Sequence, residues 1–108
     1  MHPHPIAPID ITSAQWRILS ELLQRLLPGY TVWAFGSRAR WTAKPHSDLD
    51  LAIIGEQALD WRLSAELAEA LAESDLPFKV DIVDWASTSP AFRQIIAQDK
   101  VVLQEAPT

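Results

Sequence analysis

The sequence predicts a fold of the α+β class, a mixed α/β arrangement in which helices flank a small mixed β-sheet of about four strands. Three observations support this prediction. Apolar residues recur at helical spacing in separate segments, short apolar or β-branched runs alternate with those segments, and glycine, proline or helix-capping residues lie between them. A length of 108 residues suits one small domain with a single core, which we place at residues 12–105.

The first predicted helix begins at Thr12. Thr12 and Gln15 have the spacing of a capping box, in which each side chain accepts a hydrogen bond from the other residue's backbone amide. Leucines then recur at helical spacing and form one apolar stripe, and Pro28-Gly29 ends the helix. The three prolines in residues 1–11 predict a flexible or extended N-terminal arm ahead of this helix.

The remaining elements follow from composition and capping residues. Runs of β-branched, aromatic or aliphatic residues predict strands at Tyr30–Phe35, Leu49–Ile54 and Phe78–Val83, with a short fourth strand at Val101–Leu103. Asp60 and Ser89 are favourable N-caps for two further helices, from Trp61 to about Ser74 and from Pro90 to Ala97. A loop, with or without a short helix, joins the first two strands. The expected order is α-β-loop-β-α-β-α-β.

Composition excludes several classes of function. The chain has no cysteine, which rules out disulfides, thiolate metal sites and cysteine nucleophiles and fits a cytoplasmic location. No apolar run approaches the roughly 20 residues that span a membrane, and the N-terminus does not have the form of a secretory signal. The net charge of −5 argues against direct nucleic-acid binding, which usually needs a broad basic face. Positive charge is instead concentrated in one loop, at Arg38, Arg40 and Lys44.

Two carboxylates mark the start of the second strand. Asp48 and Asp50 are two residues apart, so both side chains point to the same face, about 6–7 Å apart along the backbone. Like charges at this separation repel one another, and a cation between them relieves the repulsion. Carboxylate oxygens suit hard ions such as Mg²⁺, which often completes its coordination with substrate phosphates. A pair of solvated acids at a strand start is the alternative interpretation.

Two other features strengthen the prediction of a site. Gly36-Ser37 follows the first strand, where a glycine allows close approach of a ligand and a helical turn beginning at Ser37 directs its N–H groups at an anion. An ordinary turn is the alternative. Asp81 lies inside the third predicted strand and joins the other two acids if that strand is next to Leu49–Ile54. Asp84, at the end of the same run, has the position of a turn acid.

These residues together resemble a known family. Gly36-Ser37, ten intervening residues, Asp48-Leu49-Asp50 and a later strand acid, Asp81, are similar to the motif of the nucleotidyltransferase superfamily that includes DNA polymerase beta. The text GSRAR…SDLDLAI in so short a chain resembles the minimal nucleotidyltransferase (MNT) proteins. These are often antitoxins paired with a small helical ribonuclease of the HEPN class. The resemblance extends from about Ala14 to Leu103 and implies the polymerase beta-like nucleotidyltransferase fold.

The resemblance also implies a set of site residues. Asp48, Asp50 and Asp81 are then the catalytic carboxylates that hold two Mg²⁺ ions, with Asp81 also helping to deprotonate the acceptor hydroxyl. The implied substrate is ATP, as the nucleoside triphosphate, and the residues expected to bind it are Gly36, Ser37 and Arg38. Many relatives have glycine where this chain has Trp41. We predict that Trp41 packs the loop down, with stacking on adenine or on a partner protein as the alternatives.

Two functions follow from the resemblance. The first is Mg-dependent transfer of AMP from ATP to a hydroxyl, with tyrosine as the expected acceptor, on a partner HEPN ribonuclease toxin that the chain neutralises as an antitoxin. The second is a non-catalytic module that neutralises the toxin by complex formation, with Trp41, Trp61 and Trp85 as candidate interface residues. A haloacid-dehalogenase-type phosphatase is disfavoured because Asp48 does not follow a buried strand. A glycosyltransferase needs a longer chain.

Overall fold

A computed structural model describes residues 7–107, in which three α-helices pack on a four-stranded sheet. The helices are α1 (Ser13–Leu26), α2 (Trp61–Glu73) and α3 (Pro90–Asp99). The strands are β1 (Thr31–Phe35), β2 (Leu49–Ile54), β3 (Val80–Asp84) and β4 (Val101–Gln104). The predicted fold class and element order are confirmed. No helix among the described residues has the length and the hydropathy that a membrane crossing requires.

The boundaries differ from the prediction in a few places. Strand β3 begins and ends later than predicted, because Phe78 and Lys79 precede the sheet and Asp84 belongs to it. A single 3₁₀ turn at Trp85–Ser87, which the sequence patterns did not predict, follows directly. The segment between β1 and β2 forms turns rather than a helix. The predicted capping box of α1 is present. The Thr12 amide donates to Gln15 Oε1 at 2.9 Å, and the Gln15 amide donates to Thr12 Oγ1 at 3.0 Å.

The sheet has the order β3-β2-β1-β4 and mixed strand directions. Strand β1 pairs antiparallel with both β2 and β4, and β2 pairs parallel with β3. In this register Asp50 lies opposite Phe35 on one side and opposite Asp81 on the other. The sheet therefore brings the end of β1 and the beginnings of β2 and β3 to the same edge.

Alternation along β2 divides the core between the two faces of the sheet. Leu49, Leu51 and Ile53 are buried in the larger cluster, which also contains the apolar stripes of α1 and α2. Ala52 and Ile54 belong to a smaller cluster on the opposite face, where Ile96 of α3 contributes its buried side chain. Asp50 shares this second face by the same alternation. Within residues 7–107, α3 is the one α-helix that packs on the face carrying Asp50.

The segment before α1 is part of the domain. Ala7 is 5% exposed and Ile9 is fully buried, so residues 7–11 are packed on the core rather than forming the predicted flexible arm. The Asp10 amide also donates to the Arg38 carbonyl at 2.8 Å. Burial of the two aliphatic side chains explains the difference, because it offsets the entropy cost of ordering the backbone. Residues 1–6 of the predicted arm lie outside the described residues.

Two tryptophans are too exposed to be core residues. Trp41 is 55% exposed and Trp61 is 73% exposed. The prediction that Trp41 packs the loop down is therefore wrong. Its backbone has φ 62°, in the left-handed region that disfavours side chains with a Cβ. Trp85, by contrast, packs edge-on against Trp33 with ring centroids 5.2 Å apart.

Substitutions at position 41 are expected to reveal the strain of this left-handed backbone. We expect Trp41→Gly to be more stable than Trp41→Ala by about 1 kcal/mol, because glycine adopts positive φ without a steric penalty. At Ile95, an exposed position inside α3, the order should reverse, with alanine about 1 kcal/mol more stable than glycine. Chemical denaturation of the four variants measures both differences. Equal stability of the two variants at position 41 would contradict the prediction.

Candidate active site

The site is built where β1 ends and β2 and β3 begin. Gly36 follows the last residue of β1, and Phe35 pairs with Asp50 of β2. Because β2 and β3 are parallel neighbours, Asp50 and Asp81 lie directly opposite each other with their side chains on the same face. The exposed Asp48 precedes β2 by one residue. The structure therefore brings the predicted Gly-Ser turn and all three predicted acids to one edge of the sheet.

Gly36 is constrained by both its backbone and its neighbours. Its φ is +78°, and a Cβ built on it would lie 2.5 Å from Asp50 Oδ2. The Gly36 carbonyl accepts hydrogen bonds from the amides of Ala39 and Arg40, each at 3.1 Å, so one helical turn begins here. Within residues 7–107, the amides of Ser37 and Arg38 donate to no other residue. A short turn with unpaired N–H groups at its start therefore lies beside the Asp50 carboxylate. The N–H groups suit an anion, whereas the carboxylate repels one, so the two together suit an anion that is accompanied by a cation.

Asp50 is the electrostatic centre of the three acids. Partial burial, which removes water from the carboxylate, raises its pKa above the ordinary value of 3.8, and the negative charges of Asp81 and then Asp48 raise that pKa further. The carboxylate of Asp81 also forms an ion pair with Lys79, whose Nζ is 3.3 Å from Oδ1. The Lys79 side chain is 73% exposed, which makes this a weak surface pair. The three carboxylates thus share an excess of negative charge.

The donor set fits a hard divalent cation. Carboxylate oxygens are the ligands that Mg²⁺ prefers. Burial and the charges of Asp81 and Asp48 raise the pKa of Asp50, and a cation would stabilise its ionised form. As their side chains stand, however, no three acidic or histidine side chains in the described part of the chain converge tightly enough to enclose an ion by themselves. Because Mg²⁺ keeps several waters and takes ligands from substrate phosphates, a site completed by its substrate suits this arrangement.

Arg38 has different contacts from those expected of a phosphate ligand. Its side chain points into the protein and is only 6% exposed. Nε and Nη2 donate to the Ser47 carbonyl at 3.0 and 2.8 Å, and Nη1 donates to the Asp10 carbonyl at 2.8 Å. The guanidinium carbon also lies 4.2 Å from the centroid of the Phe78 ring. The Arg38 side chain therefore differs from Gly36 and Ser37, which lie at the candidate anion-binding turn, because its donors are directed at backbone carbonyls and not at the site.

The other polar residues that the sequence analysis considered do not join the three acids. Arg40 forms an ion pair with Asp99 at 2.8 Å, which ties the turn to the end of α3. Asp84 accepts hydrogen bonds from the amides of Leu59 and Ala86 and from the Ser87 hydroxyl, as expected of a turn acid. Lys44 and His46 are exposed.

A side chain at position 36 is expected to disturb the site directly. Gly36→Ala should lower the free energy of unfolding by at least about 1 kcal/mol, because alanine disfavours positive φ and its Cβ meets the Asp50 carboxylate. Gly29→Ala is the matched control, since nothing lies within 4 Å of a Cβ built there. Urea denaturation compares the two variants. The interpretation is wrong if Gly36→Ala is as stable as Gly29→Ala.

The raised pKa of Asp50 predicts a stability cost that depends on pH. The folded state binds the Asp50 proton more tightly than the unfolded state, so stability falls as the pH rises from 3.8 through the higher folded pKa. Asp50→Asn, which cannot ionise, should therefore raise the Tm at neutral pH in a chelating buffer. This advantage should shrink as the pH is lowered toward 3.8. The same substitution at Asp75, an exposed aspartate after α2, is the control, and an unchanged or lower Tm for Asp50→Asn at neutral pH would refute the prediction.

Comparison with known proteins places this chain in a family. Residues 19–108 match the family model described as polymerase beta, nucleotidyltransferase. A Haemophilus influenzae protein named probable protein adenylyltransferase MntA is 54% identical over 99 residues, which cover 92% of this chain and 87% of the relative.

Solved structures agree with this match. A crystal structure of a toxin–antitoxin complex with AMP-PNP has a TM-score of 0.64 and 28% identity, over 84% of this chain and 73% of that chain. A tri-AMPylated Shewanella oneidensis HEPN toxin in complex with its MNT antitoxin gives a TM-score of 0.60 and 25% identity, over 89% of this chain and 74% of that chain. The family match, the close relative and the geometry of the acids agree: this chain belongs to the polymerase beta nucleotidyltransferase family.

Proposed function

We propose that this protein is a Mg-dependent adenylyltransferase that transfers AMP from ATP to a hydroxyl group, that of a tyrosine, on a HEPN-type toxin, and so acts as its antitoxin. The observation that carries the proposal is the group of Asp48, Asp50 and Asp81 beside the turn at Gly36-Ser37. The relative named as a probable protein adenylyltransferase supports the reaction. The related complex with a tri-AMPylated toxin supports both the modification and the partner.

The proposal assigns each residue a physical task. Asp48, Asp50 and Asp81 hold two Mg²⁺ ions. Burial and the neighbouring negative charges raise the pKa of Asp50, and bound cations would offset both effects. When bound, the two ions polarise the acceptor hydroxyl and neutralise charge on the pyrophosphate leaving group. The turn at Gly36-Ser37 binds the triphosphate through its unpaired amides and the serine hydroxyl.

The bond changes balance as a simple displacement. The acceptor oxygen forms a bond to the α-phosphorus of ATP while the bond from that phosphorus to the bridging oxygen of the β-phosphate breaks, releasing pyrophosphate. The hydroxyl proton passes to the Asp81 carboxylate, which lies opposite Asp50 in the neighbouring strand. The exposed Lys79 is free to move away from Asp81 when the substrate and its metal ions arrive, because an exposed ion pair is worth little.

The same proposal places the reaction in the cytoplasm and on a protein rather than a nucleic-acid acceptor. A chain without cysteine is compatible with a reducing compartment, and its net charge of −5 argues against a nucleic-acid track, which usually needs a broad basic face. A related toxin–antitoxin complex was crystallised with AMP-PNP, which supports an adenine nucleotide as the donor. Aromatic side chains at Trp41 and Trp61 are exposed enough to contact a protein partner.

The enzymatic proposal is tested by labelling the partner. Incubating the protein with Mg-ATP and the product of the neighbouring gene, as the candidate toxin, should add AMP to that product, as detected by intact-mass and peptide mass spectrometry. Asp48→Asn should reduce the labelling rate at least about 100-fold, because it removes a ligand that contributes several kcal/mol of charge stabilisation. Asp75→Asn should label at the wild-type rate. Absence of any adduct with the unchanged protein, for every nucleotide and divalent ion tried, would overturn the proposal.

Neutralisation by contact alone is the competing function, and the exposed Trp41 and Trp61 are the observation that favours it. An Asp48→Asn/Asp50→Asn double variant separates the two. If transfer is the mechanism, this variant binds the toxin but leaves its ribonuclease activity intact. Full inhibition by the double variant would instead establish complex formation as the mechanism.

A further inference from the structure

Arg38 connects three separate segments of the chain. Its side chain donates four hydrogen bonds to the carbonyls of Asp10, Pro45 and Ser47, at distances of 2.8 to 3.4 Å. Its guanidinium carbon lies 4.2 Å above the ring of Phe78. The Arg38 carbonyl in turn accepts from the Asp10 amide at 2.8 Å. One buried side chain thus joins the segment before α1, the loop before β2 and the residues that lead into β3.

Two of these segments deliver the acids of the site. Ser47 directly precedes Asp48, and Phe78 lies three residues before Asp81. Two partners of Arg38, Ser47 and Phe78, therefore lie within three residues of a carboxylate that the proposed reaction uses. Beyond Arg38, the start of β2 is tied to the residue before β3 by a hydrogen bond from the Leu49 amide to the Lys79 carbonyl at 2.9 Å.

The chemistry of the contact suits a fixed brace. A guanidinium group keeps its charge at all working pH values and has five N–H donors in a rigid plane, which lets it bind several carbonyls at once. In this protein Nε and both Nη atoms are engaged by main-chain carbonyls, and one face of the plane is covered by an aromatic ring. Phosphate binding would require Arg38 to leave these contacts and to cross from a 6% exposed position to the surface.

We propose that Arg38 is a positioning residue that sets the separation of Asp48 from Asp81 by bracing loop 42–48 against residues 7–11 and Phe78. The inference rests on the proposed function, because it concerns the geometry of the proposed metal ligands. Lysine, a point charge with a single nitrogen, replaces this network only in part.

The chain contains a matched control for the substitution. Arg93 donates through Nε and Nη2 to the Trp85 carbonyl at 3.0 and 2.7 Å, and its guanidinium carbon lies 5.0 Å from the Trp85 ring. It therefore makes the same kinds of contact as Arg38. Its partner Trp85 follows the far end of β3, four residues beyond Asp81. Arg93→Gln consequently removes a contact of the same kind, to one carbonyl instead of three, without touching the segments that deliver the acids.

The first test measures metal binding and loop order without any reaction. In the full-length Arg38→Gln variant, we expect the dissociation constant for Mn²⁺, followed by the electron paramagnetic resonance signal of the free ion, to rise about tenfold or more. Amide hydrogen exchange in residues 43–48 should become faster. Arg93→Gln should leave both quantities within about twofold of wild type. Wild-type Mn²⁺ affinity together with wild-type exchange in Arg38→Gln would overturn the inference.

The second test uses the kinetics of AMP transfer. Misplaced carboxylates should lower kcat about tenfold or more in Arg38→Gln, with KM for ATP within about threefold of wild type. Arg38→Lys should recover part of the lost kcat. If Arg38 were a phosphate ligand, KM for ATP would rise instead, and that result would refute a positioning role. An equal loss of kcat in Arg93→Gln would also refute it, because general destabilisation would then be sufficient.

The outcomes separate this inference from the proposed function. If the unchanged protein neither transfers AMP nor binds Mn²⁺, the proposed function fails, and hydrogen exchange alone decides whether Arg38 braces the loop. If Arg38→Gln does not fold, Arg38→Lys and Phe78→Leu, which keep the buried charge or an apolar side chain, replace it. Each should show a smaller rise in the Mn²⁺ dissociation constant, a smaller increase in hydrogen exchange and a smaller loss of kcat. Wild-type values in both variants would refute the inference.

Discussion

Three neighbouring aspartates at one edge of a small sheet impose the constraint on which the rest of this structure depends. The parallel register of β2 and β3 puts Asp50 opposite Asp81, and Asp48 lies just ahead of β2, where its charge acts on Asp50. Burial and two neighbouring negative charges raise the pKa of Asp50. The folded protein therefore retains an unfavourable interaction that a hydrophobic or neutral residue would remove. Proteins commonly keep such costs where a ligand relieves them, and a divalent cation with a nucleotide is the ligand that this charge and chemistry suit.

The surrounding structure is organised to tolerate that constraint. Most of the apolar side chains are buried on the other face of the sheet, under α1 and α2, so the edge with the acids does not have to supply the main core. Gly36 brings the backbone against Asp50 without a side chain, and Arg38 anchors the loop that ends at Asp48. Residues 7–11 complete this support from the N-terminal side. A loop that carries a metal ligand thus acquires the rigidity that elements of regular structure usually provide.

Particular residues show how much of the structure local sequence patterns predict. The capping box at Thr12 and Gln15, the helical stripe of α1 and the apolar run of β2 were predicted correctly because each depends on residues only a few positions apart. The grouping of Asp48 with Asp81 was a conditional prediction, since it required β3 to be the neighbour of β2, and the sheet order confirms that condition. Trp41 and Arg38 were assigned less accurately. Both positions lie in irregular backbone, where side-chain direction follows from φ and from distant partners rather than from periodicity.

The sequence by itself determined the element order, the strand that carries Asp48 and Asp50 and the family to which the motif belongs, because these depend on local spacing. Only the tertiary structure decided that Ala7 and Ile9 are core residues, that Arg38 points inward and that Trp41 is exposed in a left-handed conformation. The partners of Arg38 make the reason clear. They are main-chain carbonyls up to 28 residues away, and every residue has such a carbonyl, so no residue type marks them in the sequence.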